Sequence, residues 1–230
     1  MTRMKTLCTA LFAVFALAAA FSATQALALE LPDVHVLSGE TYPATGEGSL
    51  KGKEIGILET EIGEKLTSET VGVSAELTEL SSLGPGALVF TNVVEPKSGS
   101  KCNTAGDPEG TVKLSGEYHV VVIKEVPLTP AILILFKELT VTCGSLKIKV
   151  RSPAVIALNG VTSGTDVTSY KLASKCSGKG KQELREYLND EGKATKAQLT
   201  ANFGLGFETA CETVKEELTV TSSKMIDFLF

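Results

Sequence analysis

Apolar and polar residues alternate along most of the chain after Ile55. Leu146, Ile148 and Val150 alternate with Lys147, Lys149 and Arg151. Successive strand side chains point to opposite faces, so one face is buried and the other solvated. A longer alternation sets Ala197, Leu199, Ala201, Phe203, Leu205 and Phe207 against Gln198, Thr200, Asn202, Gly204 and Gly206. It predicts a core strand with Phe203 and Phe207 inward, which the outward glycines allow to bend. Leu139, Val141 and Cys143 share a face, as do Leu218 and Val220, and Ala131 to Phe136 is an apolar run of strand length. Turn residues separate these segments at Gly84-Pro85-Gly86, Gly106-Asp107-Pro108, Asn159-Gly160 and Asn189-Asp190-Glu191-Gly192. The expected fold is all-β and mainly antiparallel, a sandwich or partly closed barrel.

Two segments read both ways. Leu77, Leu80 and Leu83 lie at helical spacing before a Gly-Pro stop, so a short helix or loop is expected near 74–84, although Val71 to Leu77 also fits a strand. Residues 181–188 contain helix formers, but Asn189 to Gly192 is hairpin-turn chemistry, and a hairpin is expected there.

Ahead of this β pattern, Arg3 and Lys5 precede an apolar run from Leu7 to Phe21, and Ala26-Leu27-Ala28 follows. A basic start, an apolar middle and an A-x-A end mark residues 1–28 as a secretory signal peptide. The run is shorter than the ~20 residues that span a bilayer, and no comparable run follows, so the mature chain is expected to have no transmembrane segment. Residues 29–54, rich in Gly, Pro, Thr and Glu, read as an extended leader. Residues 55–230 read as the β-rich domain, with a subdivision near 127–130.

Export changes how the cysteines are read. Cys8 leaves with the signal, and Cys102, Cys143, Cys176 and Cys211 remain. In an oxidising compartment four cysteines imply disulfides, with three pairings open. The hypothesis is the pairing of sequence neighbours, Cys102 with Cys143 and Cys176 with Cys211, each able to link strands of one sheet. No C-x-x-C spacing supports zinc or redox chemistry, and no metal or cofactor is expected. The full chain carries a net charge of −5, and losing Arg3 and Lys5 makes it more acidic. That surface offers no footprint for nucleic acid.

Candidate catalytic residues are few. A hydrolytic triad needs a base, usually His, and the chain has only His35 and His119. His119 precedes Val120-Val121-Val122-Ile123 and reads as a strand residue; His35 lies in the leader. Ser98-Gly99-Ser100-Lys101 matches S-x-x-K but lacks the helix start and companion motifs that the serine–lysine pattern needs. Gly204-Leu205-Gly206 has Thr209 where a dinucleotide fingerprint has its third glycine. Gly178-Lys179-Gly180-Lys181 reads as a mobile turn. Glu59, Glu61, Glu186, Asp190 and Glu191 could serve carboxylate hydrolysis, but no pair stands out. Asn189-Asp190-Glu191 lacks a calcium-loop pattern. Ile226, Phe228 and Phe230 alternate like the last strand of an outer-membrane barrel, but aromatic girdles are missing.

Several motifs occur in a set order: Lys101-Cys102-Asn103-Thr104-Ala105-Gly106, Leu139-Thr140-Val141-Thr142-Cys143, Lys181-Gln182-Glu183, Asn189-Asp190-Glu191-Gly192, Ala201-Asn202-Phe203-Gly204-Leu205-Gly206-Phe207-Glu208 and Ser223-Lys224-Met225-Ile226. As a set the chain resembles a group of secreted, β-rich proteins of actinobacteria with no assigned activity. The resemblance spans nearly the whole mature chain and implies export and a β fold. Where some members carry a Gly-Cys pair after a Phe-Thr strand, this chain has Phe90-Thr91-Asn92-Val93. The function expected is that of a secreted or cell-envelope, non-enzymatic β protein acting by surface contact or binding, with envelope components as partners. A carboxylate-dependent extracellular hydrolase and a small-ligand carrier are the alternatives. Two carboxyls ~5–10 Å apart in a deep pocket would favour the hydrolase, and an apolar cavity enclosed by a barrel would favour the carrier.

Overall fold

Alternation becomes strand over most of the length. The computed structural model describes residues 33–36, 43–79, 82–125, 128–162, 164–189 and 191–229. The expected signal peptide, Asp190 and Phe230 lie outside them. β1 is Asp33–Val36, β2 Ala44–Thr60, β3 Lys65–Glu79, β4 Ser82–Thr91, β5 Val94–Glu95, β6 Ser100–Thr104, β7 Val112–Glu125, β8 Leu128–Leu135, β9 Leu139–Cys143 and β10 Leu146–Arg151. β11 is Ala154–Asn159, β12 Asp166–Ala173, β13 Cys176–Gly178, β14 Lys181–Gln182, β15 Glu186–Leu188, β16 Ala194–Lys196, β17 Thr200–Asn202, β18 Glu208–Val214 and β19 Leu218–Leu229. Paired strands are antiparallel, and no helix occurs among the described residues.

The pairings close into two rings that share one hairpin. The first runs β2-β3-β4-β7-β8-β11-β12-β19 and returns to β2 through Thr221↔Glu47 and Ser222↔Gly46. The second runs β2-β3-β5-β6-β9-β10-β17-β18 and returns to β2 along Ala210↔Thr60 to Val214↔Gly56. Neither is a uniform barrel, since β3 meets β5 at the single pair Thr67↔Val94.

A bulge makes the sharing possible. Between Lys51↔Thr70 and Gly56↔Ser68, β2 advances five residues while β3 advances two. An extra stretch of this kind bends a strand and increases its twist. The first half of β2 therefore faces β19 and the second half faces β18. Glu54, inside the bulge, takes a left-handed φ of 51°. Lys215 holds this turn: its N–H donates to the Ile55 carbonyl at 2.9 Å, and its Nζ lies 3.4 Å from the Glu54 carboxylate.

The alternation places its apolar face inside. Ile148 and Val150 are buried and join the core, while Lys147, Lys149 and Arg151 are exposed. Ile226 and Phe228 also point inward, and Phe228 meets Tyr170 edge-on at 5.6 Å. An outer-membrane barrel has the opposite arrangement, with its apolar band outward. β7, β8 and β11 are buried on both faces. Ile132, Ile134 and Ile156 belong to the main core, and Ala131, Leu133 and Val155 belong to a second cluster under Leu184, Tyr187 and Ala197. Cover on both sides explains why Ala131 to Ile134 is continuously apolar.

The expected pairing of cysteines holds. Cys102 and Cys143 stand directly opposite each other on β6 and β9, with Cα atoms 4.1 Å apart, and Cys176 joins β13 to Cys211 of β18 at 5.6 Å. In the chain-entropy view each contributes about 4 kcal/mol. The hairpin expected around Asn189 is present as β15 and β16.

Three expectations change. The segment near 74–84 is neither helix nor loop where described: Val71, Val73 and Leu77 bury their side chains from β3, and Pro85 sits inside β4 at a register shift against β7. Cross-strand pairing overrides the helical spacing, and the proline is tolerated at an irregularity. Residues 44–54, read as leader, form the first half of β2. The alternation from Ala197 buries Ala197, Leu199 and Ala201, but β17 ends at Asn202. There Asn202 Oδ1 accepts the Gly204 and Gly206 N–H groups, turning the chain. Phe203 still packs on the core, whereas Leu205 is 82% exposed. Phe207 emerges on the outer face with the Arg151 guanidinium 3.6 Å above its ring. Residues 128–130, near the expected subdivision, begin β8 and pair with β7.

The first ring closes where β2 crosses β19, and a side chain at Gly48 would overlap the Thr219 carbonyl. Gly48→Ala should therefore cost about 2–3 kcal/mol in urea unfolding. Gly178→Ala, with open space at its Cβ position, should change stability by under about 0.5 kcal/mol. Equal effects would contradict the crossing.

Candidate functional site

β18 carries an acidic residue on its inner face. Ala210 and Val214 are buried in the main core, and Glu212 lies between them in the same alternation. Its outer neighbours Cys211 and Thr213 face β13 and the β12–β13 link, where Cys211 bonds Cys176 and Thr213 Oγ1 accepts the Cys176 N–H at 3.0 Å.

The backbone of Glu212 is clamped by one side chain. Buried Gln182 accepts the Glu212 N–H at 2.8 Å through Oε1 and donates Nε2 to the Glu212 carbonyl at 3.1 Å. The same Nε2 donates to Ser174 Oγ at 2.9 Å, and that hydroxyl donates to the Glu212 carbonyl at 2.9 Å. The Gln182 amide thus does what a neighbouring strand would do. With its backbone pinned and a disulfide one residue away, Glu212 has little freedom to turn its side chain out.

That side chain enters a cavity of about 70 Å³ at the junction of the two rings. Leu58 and Leu66 of the shared hairpin, Leu88, Ile134 and Val141 line it, and polar lining comes from Thr67, Ser68 and Glu212. A smaller cavity of about 20 Å³ shares Leu88 and Glu212 with it. Glu212 keeps part of its surface accessible and lines both spaces. Its carboxyl accepts no hydrogen bond and forms no ion pair among the described residues. Burial disfavours the charged form and pushes the Glu212 carboxyl up to about 7. Tyr118, whose buried hydroxyl has no hydrogen-bond partner among the described residues, is also shifted upward, first by burial and then by the charge on Glu212.

A surface groove of about 850 Å³ adjoins this cavity. Phe136 and Leu139 line both spaces and form the wall between them. Asp107, Lys113, Glu117, Lys137 and Glu138 give the groove both signs of charge. Glu138 also reaches Lys149 and Arg151 at 2.7 Å each, and those two cations hold its carboxyl below its usual value.

The residues singled out from the sequence lie elsewhere. His119 faces Glu117, with Nε2 3.6 Å from the carboxylate. His35 stands opposite Asp227 in the β1–β19 register. Ser98 to Lys101 belong to the β5–β6 hairpin, where buried Glu95 accepts the N–H groups of Lys97 and Ser98 at 2.8 and 2.7 Å. Burial alone would raise the Glu95 pKa, but these bonds and the Ser98 side chain bring it below the usual value. Glu59 and Glu61 sit at the β2–β3 turn, and Glu186 and Glu191 on the β15–β16 hairpin, which pairs with β7 and not with β2. Gly178 to Lys181 form a packed turn, because Gly180 is buried at φ 63° against the backbone of Glu61 and Thr209. No protein family, curated protein or solved structure matches the chain.

The raised Glu212 carboxyl has a signed consequence. Between its ordinary value of 4.5 and about 7 the folded state keeps a proton that the unfolded chain has lost. Its contribution therefore favours folding below this window and is lost as pH rises through 7. Glu212→Gln, which cannot titrate, should gain about 3 kcal/mol relative to the natural protein between pH 4 and pH 8. Paired urea melts measure this, and a constant difference across that range would contradict it.

Proposed function

We propose that this is an exported, non-enzymatic β protein that holds a small ligand, with the ligand's body in the groove and its narrow end in the cavity. The observation that carries the reading is an apolar cavity, beneath a groove, with one unpartnered carboxyl at its inner side. Binding sites of this kind are mostly apolar with a few placed polar groups. The groove falls in the usual ~300–1,000 Å³ range. The cavity alone is about half of the ~150 Å³ that admits benzene, so it takes only the end of a ligand. Carboxylate hydrolysis would require a second acid beside the first, and Glu212 is the one acidic residue lining the cavity among the described residues. Work outside the cell or in its envelope is supported by the signal-like residues 1–28 and by two disulfides. The motif set supports kinship with secreted actinobacterial β proteins.

Xenon tests the cavity directly, since a dry apolar void binds it. Methyl NMR under xenon pressure should show saturable shifts at Leu58, Leu88 and Val141. Leu139→Trp should abolish them while leaving the melting temperature within a few degrees, because Leu139 is only partly buried. Shifts that stay linear with pressure, or that persist in Leu139→Trp, would overturn the proposal.

A further inference from the structure

Resting on that ligand-binding reading, we infer that the buried end of the ligand is a short alkyl chain terminated by a protonated amine, with Glu212 as its counter-ion. A carboxylate is an acceptor only, and no described residue donates to the Glu212 carboxyl or forms an ion pair with it. Among the described residues no Lys, Arg or His lines the cavity. An ionised carboxylate left unpaired in apolar surroundings is costly. An ammonium brings both the missing donors and the missing charge, and charge-assisted hydrogen bonds are the stronger kind.

The rest of the lining selects the chain that carries the ammonium. Leu58, Leu66, Leu88 and Val141 offer methyl groups and no donors, which suits methylenes. The volume of about 70 Å³ leaves room for three or four heavy atoms. A carboxylate or phosphate end would meet Glu212 with like charge, and an alcohol would leave the charge uncompensated. Glu212 is also pinned in place. Gln182 fixes its backbone on both sides, and Cys211–Cys176 anchors the adjacent residue, so the carboxyl stays inside to meet the ligand. The path in is the Phe136–Leu139 wall, shared with the groove.

The test uses n-propylamine, n-propanol and propionate at pH 8, read by methyl shifts of the cavity residues in the natural protein and in Glu212→Gln. The expected result is that propylamine binds at least about tenfold more tightly than propanol, that propionate does not bind, and that Glu212→Gln removes the preference for the amine. If xenon and propanol bind the cavity but propylamine is no tighter, the amine assignment fails and the ligand-binding reading stands. If xenon, propanol and propylamine all leave the cavity methyls unshifted, both fail. Amine binding that survives in Glu212→Gln with its preference intact would place the recognition elsewhere and also sink the inference.

Discussion

Three extra residues in β2 set the geometry of the whole molecule. Without the bulge between Lys51 and Gly56, β2 would run straight along β3 and could close one ring only. With it, the same hairpin serves β19 at one end and β18 at the other. The left-handed conformation at Glu54 carries a strain of about 1–3 kcal/mol, which the Lys215 contacts to Ile55 and Glu54 help to offset. Past the bulge the two rings diverge. Gly56, Leu58, Leu66 and Ser68, all from the second half of the hairpin, line the space that opens there.

Protein interiors are normally packed without voids larger than a water, and buried carboxyls normally have partners. Both rules are broken at the same point, beside Glu212. The surrounding structure enforces this exception. Gln182 and Ser174 satisfy the backbone of Glu212, the neighbouring disulfide prevents β18 from peeling away, and the inward phase of the strand leaves the side chain nowhere else to go. An acid held this firmly without a partner among the described residues is the observation behind the proposed binding role.

How much of this could be read from the chain follows from the range of each signal. The β10 strand, the hairpin at Asn189 and the two disulfides depend on local alternation, turn chemistry and short loops, and all were legible. The segment near 74–84 was not, because strand pairing on both sides of β4 decides it and outweighs the spacing of three leucines. Phe207 was misplaced because Asn202 ends β17 through two backbone bonds, which shifts the phase of everything after it. Glu212 was missed although its signal was present: Ala210, Glu212 and Val214 occupy one face of a strand. An acid at an inward position reads locally as the end of an apolar face. Only the meeting of β18 with the bulged hairpin shows that a space lies before it.

The account rests on Glu212 being a desolvated carboxyl inside the junction of the two rings. Carbon-13 NMR of the side-chain carboxyls, followed from pH 3 to pH 9, reads that state directly. The account predicts one glutamate, removed from the spectrum by Glu212→Gln, that titrates near 7. A Glu212 resonance that titrates near the ordinary value of 4.5 would mean a water-filled junction and would contradict it.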